Sequence, residues 1–209
     1  MNGRAITVRC ADFTLDPDNM MTLSLFWQLL FYGWLVSEIL VGIATRTKHG
    51  SGKVQDRGSL LILWIVITAS VTACQWFSET HARNMFGGAH ALKTAGVIVM
   101  LAGLAIRWTA IFTLGKSFSS NVAIQDAQQI TRTGLYQFVR HPSYLGLLLV
   151  FLAVGLHSRN WISFAFVLVP TTAALLYRIH VEEAALAEAF GEEYVAYSKV
   201  TKRLVPGLY

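Results

Sequence analysis

The segment PSYLGLLLVFLAVGLHSRNWISFAFVLVPTTAALLY, residues 142–177, decides the fold class of this chain. It contains two uncharged apolar runs, residues 142–157 and 161–177, which are separated only by the polar residues 158–160. At ~1.5 Å of rise per helical residue, each run reaches roughly 24–26 Å, slightly less than a ~30 Å hydrocarbon core. The pattern predicts a tight hairpin of two short membrane-spanning helices.

Three longer apolar runs precede this hairpin. Residues 58–78 contain no charged side chain, residues 21–45 contain only Glu38, and residues 94–115 contain only Arg107. Each run is long enough to cross a bilayer core, which takes about 20 apolar residues. The sequence therefore predicts an all-α integral membrane protein, a single membrane domain over residues 1–209 with five transmembrane helices.

The overall composition agrees with a membrane protein. Of the 209 residues, 54% are hydrophobic and only 14% are charged, whereas soluble domains carry about 25% charged residues. This excludes intrinsic disorder, and two cysteines, Cys10 and Cys74, are too few for a disulfide scaffold. Residues 1–20 contain three aspartates and precede a long apolar run, so we expect a short tail rather than a signal peptide.

The distribution of basic residues predicts the orientation in the membrane. Five crossings place 11 Lys and Arg residues on one side and 5 on the other, with Arg107 inside a span. The positive-inside rule assigns the richer side to the cytoplasm, so the N-terminus is expected outside and the C-terminus in the cytoplasm. The net charge of +5 then reflects topology and attraction to anionic lipid, with no separate argument for nucleic acid. The richer side comprises Arg46, Lys48, Lys53, Arg57, Lys116, Arg132, Arg140, Arg178, Lys199, Lys202 and Arg203.

Two polar segments, residues 116–141 and 178–209, flank the hairpin on the predicted cytoplasmic side, and we expect them to cap one membrane face. The fifth span runs into the second segment without a helix breaker, so the helix is expected to continue to Gly191. On that helix, Arg178 and Glu182 share a face. A surface ion pair worth under ~0.5 kcal/mol is the simplest interpretation of these two residues. Glu183, Glu192 and Glu193 are expected to form a solvated face.

The fourth span begins with Arg140-His141-Pro142. Proline suits the first helical position, which places His141 at or near the N-cap, and the positive end of a helix favours an anion. Alternatively, Arg140 extends to lipid phosphate and His141 only caps the helix. Arg107 lies about two turns inside the third span, where a charge usually faces a cavity or a partner. Because no zinc-type His or Cys spacing occurs, no metal is expected.

These segments resemble the isoprenylcysteine carboxyl methyltransferase family of integral membrane enzymes. The resemblance extends over roughly residues 92–209, and it joins two separated motif groups in one order around the hairpin. Lipid N-methyltransferases and sterol or steroid reductases share parts of the C-terminal pattern. The matching residues are Arg107-Trp108, Leu114-Gly115-Lys116, Phe118, Gly134-Leu135-Tyr136, Arg140-His141-Pro142-Ser143-Tyr144-Leu145-Gly146, Arg178, Glu182-Glu183, Phe190-Gly191-Glu192-Glu193-Tyr194, Tyr197 and Arg203-Leu204-Val205-Pro206.

The resemblance implies a methyltransferase that uses S-adenosylmethionine without a Rossmann fold, with the cofactor in a cytoplasmic pocket capped by the C-terminal helix. It implies that Arg178 and Glu182 are the catalytic residues and that Arg178 faces the methyl acceptor. From its position inside a span, Arg107 is expected to line the acceptor's route from the membrane and, with Arg178, to bind the acceptor. The implied cofactor contacts are Gln125, Gln128, Gln129, Ile130, Thr131, Tyr136, His141, Pro142, Ser143, Tyr144 and Glu182.

The methyl acceptor is left open by the sequence. A prenylcysteine-like carboxylate is the leading hypothesis, because a planar, always charged arginine suits a carboxylate. A phospholipid amine and a small thiol are alternatives within the same architecture. Two hypotheses come from other classes: an NADPH-dependent membrane reductase, and a membrane subunit without catalytic activity.

Overall fold

The structure, a computed structural model, describes residues 17–45, 53–54, 58–80, 89–118, 123–124 and 129–207. Most of these residues are helical, as predicted. Two strands of two residues each, β1 and β2, lie in the connections between helices and pair antiparallel with each other. The elements are α1 (Pro17–Ala44), β1 (Lys53–Val54), α2 (Ser59–Thr80), α3 (Ala89–Leu114), β2 (Ala123–Ile124), α4 (Pro142–Ser158), α5 (Trp161–Phe190) and α6 (Glu192–Val200), with 3-10 turns at Gly115–Ser117 and Gly134–Gln137.

Four of the described helices, α1, α2, α3 and α5, are long and apolar enough to cross a membrane. The chain is therefore a multi-pass membrane protein. The fifth predicted span corresponds to α4, a shorter apolar helix of 17 residues. The helices begin at the predicted runs, except that α1 begins at Pro17 and α3 at Ala89, four and five residues before the predicted residues 21 and 94. The predicted tail, residues 1–20, lies outside the described residues up to position 16.

The predicted hairpin is formed by α4 and α5, and the three residues between the apolar runs reverse the chain. Arg159 adopts the left-handed conformation (φ 55°) after the last turn of α4. The Asn160 side chain then accepts hydrogen bonds from the backbone N–H groups of Ile162 (2.9 Å) and Ser163 (3.1 Å). Such an N-cap contributes about 1 kcal/mol, and it fixes the point at which α5 begins.

Glycines bring α4 close to its neighbours on both faces. A Cβ atom at Gly146 would lie 2.7 Å from the Gly103 carbonyl oxygen and from the Arg107 backbone nitrogen, both on α3. A Cβ atom at Gly155 would lie 2.8 Å from the Phe164 ring on α5. Small residues permit this close approach of helices in membranes. As a result, Arg107 is held beside the first turn of α4.

Helix α1 packs on this helical layer through large aromatic side chains. Trp27, Phe31 and Trp34 are buried, and the Trp34 ring meets Phe151 of α4 edge to face at 5.8 Å. The Trp27 ring stacks on His157 at 3.8 Å. These contacts place the charged Glu38, one turn after Trp34, inside the helix bundle.

The chain after α5 folds back onto the start of α4. Helix α5 continues to Phe190 as predicted, and Gly191 (φ 52°) ends it. After α6, the Arg140 N–H donates to the Lys202 carbonyl (2.8 Å) and the His141 N–H donates to the Arg203 carbonyl (3.1 Å). The C-terminal segment therefore contributes to the region in front of α4. The β1–β2 pairing likewise joins the α1–α2 and α3–α4 connections at one end of the bundle.

Candidate active site

A cleft of about 900 Å³ opens where the α3–α4 connection, the start of α4, the end of α5 and α6 meet. Polar groups and aromatic rings share its walls. The lining residues are Leu114, Ser117, Phe118, Gln129, Ile130, Thr131, Tyr136, Arg140, His141, Ser143, Tyr144, Glu182, Ala185, Leu186, Phe190, Tyr194 and Tyr197.

Most of the predicted cofactor contacts lie together in this cleft. Pro142 does not line it but is the first residue of α4, and His141 is the N-cap residue, as expected. The His141 side chain makes no capping hydrogen bond to the helix. Gln125 and Gln128 lie outside the described residues. The predicted contacts in the cleft wall are Gln129, Ile130, Thr131, Tyr136, His141, Ser143, Tyr144 and Glu182.

One wall of the cleft rests on a cluster of ion pairs centred on Glu183. Its carboxylate accepts from Arg140 Nε (2.9 Å) and Arg203 Nη2 (2.8 Å), and it lies 3.3 Å from His141 Nε2. The prediction that Glu183 is solvated is wrong, because the C-terminal segment folds over it and leaves its side chain only 12% exposed. Glu192 and Glu193 are exposed, as predicted.

Two tyrosines of α6, Tyr194 and Tyr197, extend the cleft beyond the predicted contacts. The Tyr197 hydroxyl donates to the Tyr136 carbonyl at 2.6 Å. Burial raises the pKa of Tyr194 and of Tyr197 above the ordinary value for a phenol, so both stay neutral. The buried Tyr194 hydroxyl has no hydrogen-bond partner among the described residues. An unsatisfied buried hydroxyl in a cleft wall fits a polar ligand.

A second cavity of about 650 Å³ lies deeper among the helices. It is mostly apolar, with three charged side chains at one end, and it meets the cleft at Phe118 and Tyr144, which line both spaces. A polar space and an apolar space thus share a boundary. The residues of the second cavity are Trp34, Leu35, Glu38, Val41, Gly42, Leu60, Leu63, Trp64, Ile67, Arg107, Phe118, Tyr144, Leu147 and Arg178.

Arg178 is buried at this boundary, with 1% of its surface exposed. Its Nη1 donates to the Ser59 hydroxyl at 2.5 Å, and its Nε donates to the Tyr144 hydroxyl at 3.4 Å. The surface ion-pair interpretation is therefore wrong for this arginine. A guanidinium is planar and always charged, so in a partly dry site it suits an anionic ligand.

Arg107 faces both a partner and a cavity, which confirms the expectation for a charge inside a span. Its Nε and Nη2 donate to the two carboxylate oxygens of Glu38 at 3.0 and 2.8 Å. Its Nη1 donates to the hydroxyl of Ser143 in the cleft wall. Glu38 was not among the predicted site residues, although it is the single charge in a 25-residue apolar run.

The described residues contain no group of three or more His, Cys, Asp or Glu side chains that could hold a metal ion. Among these residues, the polar side chains that line the cleft are Ser117, Gln129, Thr131, Tyr136, Arg140, His141, Ser143, Tyr144, Glu182, Tyr194 and Tyr197.

Comparison with known proteins confirms the resemblance. The model of the isoprenylcysteine carboxyl methyltransferase family matches residues 96–188. Protein-S-isoprenylcysteine O-methyltransferase B of Arabidopsis thaliana is 27% identical over 187 residues, which cover 87% of this chain and 91% of that protein. Methanethiol S-methyltransferase 1 of Bradyrhizobium diazoefficiens is 39% identical over 72 residues, which cover 34% and 24% of the two chains.

A solved structure has a similar fold. It is the structure of the eukaryotic intramembrane Ras methyltransferase ICMT, which matches with a TM-score of 0.56 and 23% identity. The match covers 69% of this chain and 52% of that one.

Proposed function

We propose that this chain, a relative of the isoprenylcysteine carboxyl methyltransferase family, is a membrane methyltransferase that esterifies the carboxylate of a lipophilic, prenylcysteine-like acceptor. The observation that carries the proposal is the pair of spaces that meet at Tyr144 and Phe118, one polar and one apolar. Methyl transfer to a membrane-borne acceptor needs such a pair, because a polar donor and an apolar acceptor must meet at one point.

The polar cleft is assigned to S-adenosylmethionine. When bound, this cofactor supplies an activated methyl group on a sulfonium. Glu182 offers a carboxylate for an amino or ribose hydroxyl group, and the positive start of α4, beside His141 and Ser143, suits the cofactor's carboxylate. The unsatisfied Tyr194 hydroxyl supplies a further polar contact. Gln125 and Gln128 remain predicted contacts of the cofactor.

The apolar cavity is assigned to the acceptor. Its tryptophan and aliphatic walls suit a prenyl chain, and Arg178 stands at the end that meets the cleft. A guanidinium binds a carboxylate through two parallel hydrogen bonds, so Arg178 orients an acceptor oxygen toward the cleft. Arg178 and Glu182 are thus the proposed catalytic residues, on the acceptor and cofactor sides, and Arg107 lines the acceptor cavity.

The proposed membrane arrangement has five crossings with α4 as the short fifth, the N-terminus outside and the C-terminus in the cytoplasm. Helix α6 and the residues after it cap the cofactor cleft from the cytoplasmic side. Two contacts support this arrangement. The β1–β2 pairing joins two connections that the scheme assigns to one side, and the Val139–Lys202 bridge joins a third segment assigned there.

A small-thiol acceptor is the second candidate, because the matching stretch of the Bradyrhizobium protein belongs to a methanethiol S-methyltransferase. The aromatic and aliphatic residues that line the apolar cavity favour the prenylated acceptor.

Binding and turnover assays on the purified full chain test the proposal. We expect S-adenosylhomocysteine to bind and NADPH not to bind. With a labelled methyl donor, N-acetyl-S-farnesylcysteine should become a base-labile ester, while methanethiol and phosphatidylethanolamine should remain unlabelled. Binding of NADPH alone would favour the reductase, and binding of neither nucleotide would favour a non-catalytic subunit.

A further inference from the structure

The apolar cavity has a definable deep end, opposite the boundary that it shares with the cleft. Tyr144 lies at that boundary, where its hydroxyl accepts a hydrogen bond from Arg178 Nε. Along α4, Tyr144 and Leu147 line the cavity, whereas Phe151, one turn further, does not line it and is fully buried. The wall that α4 contributes therefore ends between Leu147 and Phe151, one to two helical turns from Tyr144.

Trp34 of α1 occupies this deep end. It lines the cavity, it is only 2% exposed, and its ring meets the Phe151 ring edge to face at 5.8 Å. Phe31, one turn earlier on α1, packs on Trp34 with 5.9 Å between the ring centroids. Both phenylalanines belong to the buried core of the helix bundle. Trp34 is therefore the side chain that stands between the cavity and the aromatic core.

The indole N–H of Trp34 is buried and has no hydrogen-bond partner among the described residues. A buried tryptophan usually occurs where its N–H can reach a partner. What Trp34 contributes at this position is therefore the size of its ring system rather than a hydrogen bond.

The depth of the cavity can be compared with the length of a prenyl chain. Ser59 accepts a hydrogen bond from Arg178, and Ile67 is the last residue of α2 in the cavity wall. At ~1.5 Å of rise per residue, these two positions lie about 12 Å apart along α2. An extended chain advances about 1.2 Å per bond, so a five-carbon prenyl unit, with four bonds in its main chain, takes about 5 Å. The cavity thus accommodates two to three units, and a fourth unit meets Trp34.

We infer that Trp34 is a specificity-determining residue that limits the length of the acceptor's prenyl chain. The inference rests on the proposed function, because it assumes a prenyl chain in this cavity with the carboxylate toward Arg178. In a hydrophobic pocket, one extra methylene group is already worth roughly tenfold or more in kcat/KM. Trp34 therefore discriminates between chains that differ by a five-carbon unit.

Kinetics with three acceptors, N-acetyl-S-geranylcysteine, N-acetyl-S-farnesylcysteine and N-acetyl-S-geranylgeranylcysteine, test the inference on the purified full chain. We expect kcat/KM of the wild-type protein to fall roughly tenfold from the farnesyl to the geranylgeranyl acceptor. Trp34→Ala extends the cavity toward Phe31 and Phe151, so the two acceptors should reach similar kcat/KM values. The ratio of two acceptors on one enzyme preparation does not depend on the fraction of folded protein.

Ile67→Phe is the converse variant, because a larger side chain in the α2 wall shortens the cavity. It should lower the farnesyl-to-geranyl ratio of kcat/KM by roughly tenfold, and it leaves the Trp34 ring in place. Trp27→Ala is the matched control. Trp27 is a buried tryptophan of the same helix, which stacks on His157 at 3.8 Å and does not line the cavity. Both ratios of Trp27→Ala should equal those of the wild-type protein.

Equal kcat/KM values of the wild-type protein for the farnesyl and geranylgeranyl acceptors would overturn the inference, because the chain would then leave the cavity between the helices. Unchanged ratios in Trp34→Ala and Ile67→Phe, or an equal shift in Trp27→Ala, would also overturn it. If Trp34→Ala does not fold, the ratio in Ile67→Phe decides alone. Methylation of none of the three acceptors by the wild-type protein would instead overturn the proposed function, and the inference with it.

Discussion

At the scale of single residues, a substitution of Arg178 tests whether this side chain binds the acceptor or the cofactor. Lysine keeps its charge but lacks the planar fork, so Arg178→Lys should misplace an acceptor carboxylate. We expect turnover to fall by about tenfold or more, since bound geometry controls the rate. Affinity for S-adenosylhomocysteine, measured by calorimetry, should stay near the wild-type value. Full activity would argue against a bidentate role, and equal losses of binding and turnover would assign Arg178 to the cofactor.

Glu182 tests the cofactor side of the same site. It lines the cleft, one turn of α5 after Arg178, with about a third of its side chain (30%) exposed. Removing a hydrogen bond to a charged group costs about 1.5–3 kcal/mol, so Glu182→Ala should weaken S-adenosylhomocysteine binding roughly 10- to 150-fold. Glu188→Ala, an exposed position on the same helix, is the control. Equal affinities in both variants would remove Glu182 from the cofactor site.

At the scale of elements, the crossing of α3 and α4 depends on the absence of a side chain at Gly146. The Cβ atom of Gly146→Ala would lie 2.7 Å from backbone atoms of α3, so the helices must separate. Overpacking of this kind costs about 1–3 kcal/mol, and we expect a lower melting temperature in detergent. Gly33→Ala on α1, where no atom lies within 4 Å of the new Cβ, should melt at or above the wild-type temperature. Similar melting of the two variants would contradict close packing at this crossing.

The position of the segment after α5 depends on the ion pairs of Glu183. This carboxylate joins Arg140 of the α3–α4 connection to Arg203 of the C-terminal segment. Removing one partner from a largely buried pair leaves uncompensated charge. Glu183→Ala should therefore loosen the C-terminal segment and speed its cleavage by protease in the full chain. Glu192→Ala, at an exposed position nine residues later, should be cleaved at the wild-type rate. Equal rates would show that other contacts hold this segment.

The helices could be predicted from sequence because each apolar run specifies its own element. The ion-pair partners of Glu183 and Glu38 could not be predicted in the same way. Glu183 is surrounded by residues that are typical of a solvated helix face. Its partner Arg140 is brought to it by the chain reversal between α4 and α5, and its partner Arg203 by the reversal that begins at Gly191. Glu38 did carry a signal as a lone charge in a span, but its partner lies 69 positions away on another helix.

At the scale of the whole molecule, the motif residues predicted the cleft but not the acceptor cavity. The cleft is built largely from residues 129–144 and 182–197, where the sequence carries the resemblance. The acceptor cavity draws on α1 and α2, whose apolar residues are indistinguishable in sequence from lipid-facing ones. Ser59, at the start of α2, became a partner of Arg178 only through the packing of α2 on α5.

The orientation of the whole molecule gives the last prediction, because both proposed spaces need defined sides of the membrane. We expect the proposed cofactor cleft to open to the cytoplasm, the side that the 11-to-5 distribution of Lys and Arg predicts for the C-terminal segment. Single cysteines at Lys199 and Asn84, in a background that lacks Cys10 and Cys74, should react with a membrane-impermeant maleimide from opposite sides. In intact cells only Asn84→Cys should be labelled, and permeabilisation should expose Lys199→Cys. Labelling of both positions in intact cells would contradict an odd number of crossings between α2 and the C-terminus, and with it the five-crossing arrangement.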